Sequence, residues 1–247
     1  MKYKEFGDNT HPTVILLHAD GLSWWSFKDL IRSLQGRYHV VTPVIDGHGE
    51  DGATPFISIQ DCAQKLIAYI DEYDHGKVLA IGGVSLGAQI AIEVLSRRTD
   101  ITKYAILVST SVVPAQRMTW FRVLACKLFY GLIRQKWFAN IQAKTLCVKK
   151  DMRGQYYQDC LHMSKQSRIR VALDNGRYTA PDTLGETKAK ALIVIGTNEI
   201  RRLDRSVRKL MRMLPLAQVC VVPGMKHGEA GLFNYSKYWL PLRQCMR

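Results

Sequence analysis

Long apolar runs are missing from this sequence. Its hydrophobic stretches are short and broken by charge or glycine, so no membrane-spanning helix is expected. The opening residues, MKYKEFGDNT, contain no apolar segment of the kind that begins a secretory signal, and a cytoplasmic setting is expected. There is no CxxC pair. Six cysteines (Cys62, Cys126, Cys147, Cys160, Cys220 and Cys245) lie far apart and read as reduced thiols, several of them in the core. Neither a disulfide framework nor a metal site is expected from them. No low-complexity tract and no fixed-period repeat is visible. What is present is 247 residues, 47% of them hydrophobic, which suffices for one large domain or one domain with an inserted piece and excludes wholesale disorder.

Carboxylates are scarce: 21 Asp plus Glu stand against 35 Lys plus Arg. The imbalance is uneven. From Pro114 to Ala180 there are 13 Lys plus Arg and 3 Asp plus Glu, a local charge of +10. A second basic cluster comprises Arg201, Arg202, Arg205, Arg208, Lys209 and Arg212. Such patches attract anionic ligands, nucleic acid or membrane surfaces. No aromatic-interleaved recognition motif accompanies them, so a specific nucleic-acid partner is not expected and a solvated basic face is the simpler reading.

Strand-like and helix-like segments alternate. TVILLHA (13–19), YHVVTPV (38–44), KVLAIGG (77–83), KYAILVST (103–110), KALIVIG (190–196) and AQVCVVPG (217–224) are apolar, β-branched runs. Between them, segments 24–36, 58–73, 86–98, 204–214 and 231–242 carry apolar residues at helical spacing. The rhythm implies βαβ crossovers and an α/β fold with a mostly parallel sheet covered by helices on both faces. Residues 114–185 break it. TWFRVLACKLFYGLIRQKWF (119–138) is apolar around most of its circumference with basic residues interspersed. The segment is expected to be a helical cap inserted after the strand at 103–110, with residues 1–113 and 186–247 forming a discontinuous core. The alternative is an amphipathic membrane-surface segment; the cap is preferred because the basic residues gather on no single clean face.

Gly83-Val84-Ser85-Leu86-Gly87 fits GxSxG, and it lies between an apolar strand and a helix. That is the setting of a nucleophile elbow, a bend that lifts a serine hydroxyl above the sheet. A serine needs a base to take its proton and an acid to orient that base. His227, in VVPGMKHGEAGLF, follows the last strand at the same sheet edge. His75 lies in a turn at the opposite edge, and His11, His39 and His162 have no supporting context. The acid is expected after the preceding strand, in LIVIGTNEIRRLD: Glu199 first, Asp204 second.

These landmarks together resemble the α/β-hydrolase family over nearly the whole chain outside the cap. LLHADGLSWWSF resembles that family's first-strand motif, VIDGHGED its Asp-x-x-Gly-His-Gly segment, GGVSLG its elbow, IGTNE its acid motif and PGMKH its histidine loop. The order serine, acid, histidine is also that family's. The resemblance implies a catalytic triad of Ser85, Glu199 and His227, and an oxyanion hole made by the backbone N–H groups of Asp20 and Leu86, with no cofactor and no metal. His18 and the loop Asp46–Gly49 would support that wall structurally. Three departures stand out: Ala19 where glycine is usual, a carboxylate at Asp20 beside the oxyanion hole, and Glu199 where aspartate is commoner.

The reading expected first is a serine hydrolase of carboxylesterase type that cleaves a small ester, thioester or related acyl compound through an acyl-enzyme. The alternative keeps the triad for C–C bond hydrolysis, lyase or acyl-transfer chemistry on a carboxylate-bearing substrate, which the basic cap would suit. A third reading is a non-catalytic binding protein. The sequence leaves substrate and oligomeric state open.

Overall fold

The computed structural model describes residues 1–230. The helix expected at 231–242, and Cys245, lie outside the described residues. Seven strands form one sheet: β1 (Lys2–Phe6), β2 (Thr13–Leu17), β3 (His39–Val44), β4 (Val78–Val84), β5 (Thr102–Val108), β6 (Lys190–Gly196) and β7 (Gln218–Val222). Their order is β1-β3-β2-β4-β5-β6-β7. All neighbours run parallel except β1, which lies antiparallel to β3 with Lys2 opposite Val44. Parallel register therefore brings the carboxyl ends of β2 and β4 to β7 to one edge.

Helices cover both faces, so the strands must bury both rows of side chains, and they read as continuous apolar runs for that reason. Ile15 and Leu17 pack on one face, Val14 and Leu16 on the other. The first face takes α2 (Ile59–Tyr73) and α3 (Leu86–Arg97) through Leu66, Ile70, Ile90 and Val94. The second takes α1 (Lys28–Leu34) through Ile31, with Phe27 just before it. Each fully buried Leu, Ile or Val contributes roughly 1.5–3 kcal/mol relative to exposure.

Between β5 and β6 stand four helices: α4 (Gln116–Ile133), α5 (Lys136–Thr145), α6 (Arg153–His162) and α7 (Lys165–Arg177). Within the apolar segment 119–138 the chain breaks at Gln135, whose backbone is extended (φ −88°, ψ 128°). The break lets α5 fold back on α4, and Ile133 and Ala139 join Ala143 and Tyr156 around Leu22 and Trp25 of the loop after β2. These helices are bonded to the rest of the molecule. Trp25 Nε1 donates to Asp159 Oδ2 at 2.6 Å. The first amide of α2, that of Ile59, donates to Asp174 Oδ2 at 2.6 Å, and the Phe56 amide donates to Ser167 Oγ at 3.2 Å. Helix α7 thus satisfies the first N–H of α2, which the cap Ser58, accepting from the Asp61 N–H, would leave to water. The last helix of the described chain, α8 (Ile200–Met213), begins four residues before the expected 204, directly behind the Glu199 turn, and sends Leu210 into the first face.

Strand β1 has no strong sequence signal, because KYKEF is an edge strand with no residue fully buried. Tyr3 anchors it by stacking on Tyr69 of α2, with ring centroids 3.9 Å apart.

Candidate active site

Ser85 follows β4 and precedes α3 at the carboxyl edge. Its backbone is at φ 52°, ψ −107°, a left-sided conformation that costs a non-glycine residue about 1–3 kcal/mol and persists only where packing imposes it. The packing is visible in the flanking glycines. A Cβ on Gly83 would overlap the Gly87 backbone, and one on Gly87 would overlap the backbone of Leu17 and His18. Strand, bend and helix can therefore approach this closely only with hydrogen at both positions. Leu86 opens α3 and is fully buried; its N–H has no helical carbonyl to bond and remains available near Ser85.

Glu199 lies in the turn after β6 and is 3% exposed. Its Oε1 accepts from His227 Nδ1 at 2.7 Å. Its Oε2 accepts from Ser109 Oγ at 2.6 Å and from the Gly196 N–H at 3.2 Å. Burial by itself would raise the pKa of this carboxyl. The hydrogen bonds from His227 and Ser109, the His227 charge and the Gly196 amide outweigh burial and hold it below the ordinary glutamate value. Asp204 is elsewhere, paired with Arg208 one turn along α8 at 3.0 Å. In the tautomer whose Nδ1–H donates to Glu199, the neutral ring presents Nε2 as an acceptor, the arrangement a general base requires.

The loop that carries His227 is fastened to the loop that carries Glu199. Asn198 Nδ2 donates to Gly224 O at 3.1 Å, and the Gly224 N–H donates to Thr197 Oγ1 at 2.9 Å. Gly196 has no room for a Cβ against Met225. Ser85 and Glu199 are linked across β5 by two consecutive residues: Thr110 Oγ1 donates to Ser85 O at 3.2 Å, while Ser109 reaches Glu199. Ser109 is itself at φ 51°. Ser85 Oγ hydrogen-bonds none of the described residues, so the structure joins Glu199 to His227 and leaves the serine hydroxyl unpaired with the imidazole.

Sequence reasoning missed three nearby side chains. Ser109 could have been noted from its place at the end of KYAILVST. Arg202 had only a cluster of basic residues to mark it. Its guanidinium is 2.5 Å from His227 Nδ1 and 3.3 Å from Glu199 Oε1. Nδ1 can serve only one of the two: protonated it donates to Glu199, bare it accepts from Arg202 and the ring then carries its proton on Nε2. The third is Arg122 of α4, whose Nη2 is 3.3 Å from Asp20 Oδ2.

Asp20 follows β2 at the same edge. Its other carboxyl oxygen lies 3.4 Å from His48 Nε2. Burial works against ionisation here, but the His48 hydrogen bond and the charges of His48, Arg122 and Arg168 win, and the pKa falls to about 2. The carboxylate is thus spoken for by neighbours. His18 is fully buried; its Nε2 accepts from the Ile45 N–H at 3.0 Å, and Nδ1 is 3.0 Å from Ala19 O. Burial and the neighbouring His48 lower its pKa to about 3, so it is a neutral structural ring.

Asp46, Asp61 and Cys62 come within metal-binding distance of one another. Lys65 Nζ already lies 2.5 Å from Asp46 and 2.7 Å from Asp61, so an ammonium neutralises the position a cation would take. Cys62, Cys160 and Cys220 are buried thiols, and the five described cysteines form no disulfide. A cavity of about 560 Å³ opens between α4 and α7, lined by Pro114, Thr119, Trp120, Leu173 and Arg177 among others. None of Ser85, Glu199 or His227 lines it; its nearest tie to them along the chain is Pro114, which closely follows Ser109 and Thr110.

A model of the Alpha/beta hydrolase family matches residues 14–236. No curated protein matches the sequence. Among solved structures, a carboxylesterase from the thaumarchaeon Nitrososphaera gargenis superposes with a TM-score of 0.79 at 17% identity, covering 98% of this chain and 93% of that one. A thermophilic esterase from Thermogutta terrifontis gives 0.74 at 18%, covering 100% and 91%. The enol-lactonase of Burkholderia xenovorans LB400 gives 0.76 at 14%, covering 92% and 89%. At these identities the likeness is one of fold.

Proposed function

Because the chain belongs to the alpha/beta hydrolase family, we propose that it hydrolyses a small ester, thioester or related acyl compound through a covalent acyl-enzyme. Ser85 Oγ attacks the carbonyl carbon while His227 Nε2 takes its proton. The carbonyl oxygen becomes an oxyanion facing the N–H groups of Leu86 and Asp20, each such donor contributing roughly 3–4 kcal/mol to the transition state. Protonated His227, held by the ionised Glu199, returns the proton to the departing alkoxide or thiolate. Water then enters and loses a proton to His227 as its oxygen adds to the acyl carbon; the bond from that carbon to Ser85 Oγ breaks, the acid leaves, and His227 returns the proton to Ser85 Oγ. No step calls for a cofactor.

The observation that carries this reading is the 2.7 Å contact between Glu199 and His227 at the sheet edge from which the strained Ser85 turn rises. Serine, acid and histidine come from three separate strand ends, and a purely structural ion pair would give no reason for the strain at Ser85. The fold likeness to an esterase and an enol-lactonase points to the same reaction class. A second reading, C–C bond hydrolysis, lyase or acyl-transfer chemistry on a carboxylate-bearing compound, is favoured by the local charge of +10 between Pro114 and Ala180.

An ester chain-length series decides between them. We expect short acyl esters to be cleaved, with kcat/KM reduced by at least about 10⁴-fold in Ser85→Ala and labelling by a fluorophosphonate probe lost with it. Turnover of an anionic diketone with no turnover of any ester would establish the second reading. Undiminished ester cleavage by Ser85→Ala would refute both.

A further inference from the structure

Between Asp100 and Asp151 the sequence contains no carboxylate. That acid-free stretch includes all of α4 and α5. On α4, Met118, Phe121, Leu128, Phe129 and Leu132 recur at the spacing of one helical stripe. A stripe of this kind normally packs inward. Here it faces solvent: the five are between 37% and 65% exposed, whereas the only buried residues of α4 are Thr119 and Ile133. Trp137 and Ile141 extend the exposed apolar surface along α5, at 59% and 53%. No comparable run of large exposed apolar side chains occurs elsewhere among the described residues, and a contiguous patch of this size marks an interaction surface.

The charge around the stripe says what kind of partner fits. Arg117, Arg122, Lys127, Lys136 and Lys144 on these two helices, and Arg134 in the turn between them, are all exposed. Arg122 is engaged by Asp20, but Arg117, Lys127, Lys136 and Lys144 pair with no carboxylate among the described residues. A second copy of the chain docking here would bring the same uncompensated cations face to face. A nucleic acid would satisfy the cations and leave Met118, Leu128 and Leu132 in water. We infer that the outer face of α4 and α5 docks on an anionic phospholipid surface, with the apolar stripe set into the acyl boundary and the flanking lysines and arginines at the headgroups. Exposed Trp137 is the residue type that settles at that boundary. The two helices lie on the surface and do not cross it, since no described helix is long and apolar enough to span a bilayer. Arg122 ties the same helix to the loop after β2, so the docked face would bring the membrane to the roof of the site. The inference stands whatever acyl compound is cleaved.

Co-sedimentation of the full chain with vesicles tests it. Binding is expected to vesicles of phosphatidylcholine mixed with phosphatidylglycerol, with a blue shift of tryptophan emission, and to weaken in high salt. Vesicles of phosphatidylcholine alone should bind far less. Each cation near an anionic surface is worth about 1 kcal/mol, so Lys127→Gln with Lys136→Gln should lower partitioning by about 25-fold. Phe121→Ser with Leu128→Ser should lower it by at least about tenfold, with the thermal midpoint of the parent retained because both side chains already face solvent. No sedimentation with the anionic vesicles overturns the inference. So does equal binding to neutral vesicles, or parental binding by the Phe121→Ser, Leu128→Ser variant. A concentration-dependent dimer in light scattering that this variant abolishes would assign the face to a second copy and overturn it as well.

Discussion

Ser109 donates its hydroxyl to Glu199 across 2.6 Å from a backbone held at φ 51°. Two neighbouring strand ends, those of β4 and β5, therefore each finish in a serine whose backbone is in the sparsely populated left-sided region. One presents its hydroxyl at the surface of the site, the other buries its hydroxyl on the acid. A donor on Oε2 fixes the carboxylate plane, and with it the direction in which Oε1 holds His227.

Removal of that donor is the first test. Ser109→Ala leaves a buried carboxylate short of one hydrogen bond, a loss of about 1.5–3 kcal/mol. Its effect should fall on kcat and leave KM nearly unchanged. The loss also raises the Glu199 pKa. A carboxyl depressed in the folded state adds stability above its unfolded pKa, and that stability disappears as the pH falls through the folded value. Urea midpoints of parent and variant should therefore differ most at neutral pH and converge in acid. A constant gap across that range would mean that Ser109 does not act through the ionised carboxylate.

Glu199→Gln keeps the size of the side chain and removes the charge. A neutral amide can stabilise the wrong imidazole tautomer, and kcat is expected to fall on the order of 10³–10⁴-fold. Asp204→Asn should change activity by less than about twofold, since it breaks only an exposed pair with Arg208. Steady-state kinetics on one short ester settles the assignment, and the opposite ranking would move the acid to Asp204.

Two glycines should respond in opposite directions. Gly87→Ala puts a methyl into the backbone of Leu17 and His18 and should destabilise by about 1–3 kcal/mol or more, with activity lost as the Ser85 bend shifts. Gly131 lies in α4, where an added methyl would meet nothing within 4 Å, so Gly131→Ala should stabilise by roughly 0.5–1 kcal/mol through helix propensity. Thermal denaturation of both variants checks the contrast.

His18 predicts an acid-sensitive fold. Its pKa is about 3 in the native state, against an ordinary value near 6.5 when unfolded. Between those values the unfolded chain binds a proton that the native chain refuses, so stability falls as the pH falls, with a slope approaching ~1.4 kcal/mol per pH unit. His18→Leu should flatten this slope while costing about 1–3 kcal/mol at neutral pH, because the Ile45 N–H loses its acceptor. Denaturant titrations at several pH values separate the two effects.

The sequence by itself determined the fold class and the positions of six of the seven strands. Strands buried on both faces are continuous β-branched runs, and KALIVIG coincides with β6 residue for residue. The elbow is legible because its cause is local: the glycines that allow the bend stand two residues from the serine that occupies it. Tertiary structure alone decided what distant residues do to one another. Ser109 and Glu199 are 90 positions apart, Arg122 and Asp20 are 102, and no periodicity encodes a side-chain contact across such a span. It also decided which way α4 faces. An apolar stripe has the same spacing whether it meets a core or a solvent boundary, so the sequence set cap and membrane-surface segment against each other as alternatives, and only the packing of Thr119 and Ile133 inward reveals that the stripe points out.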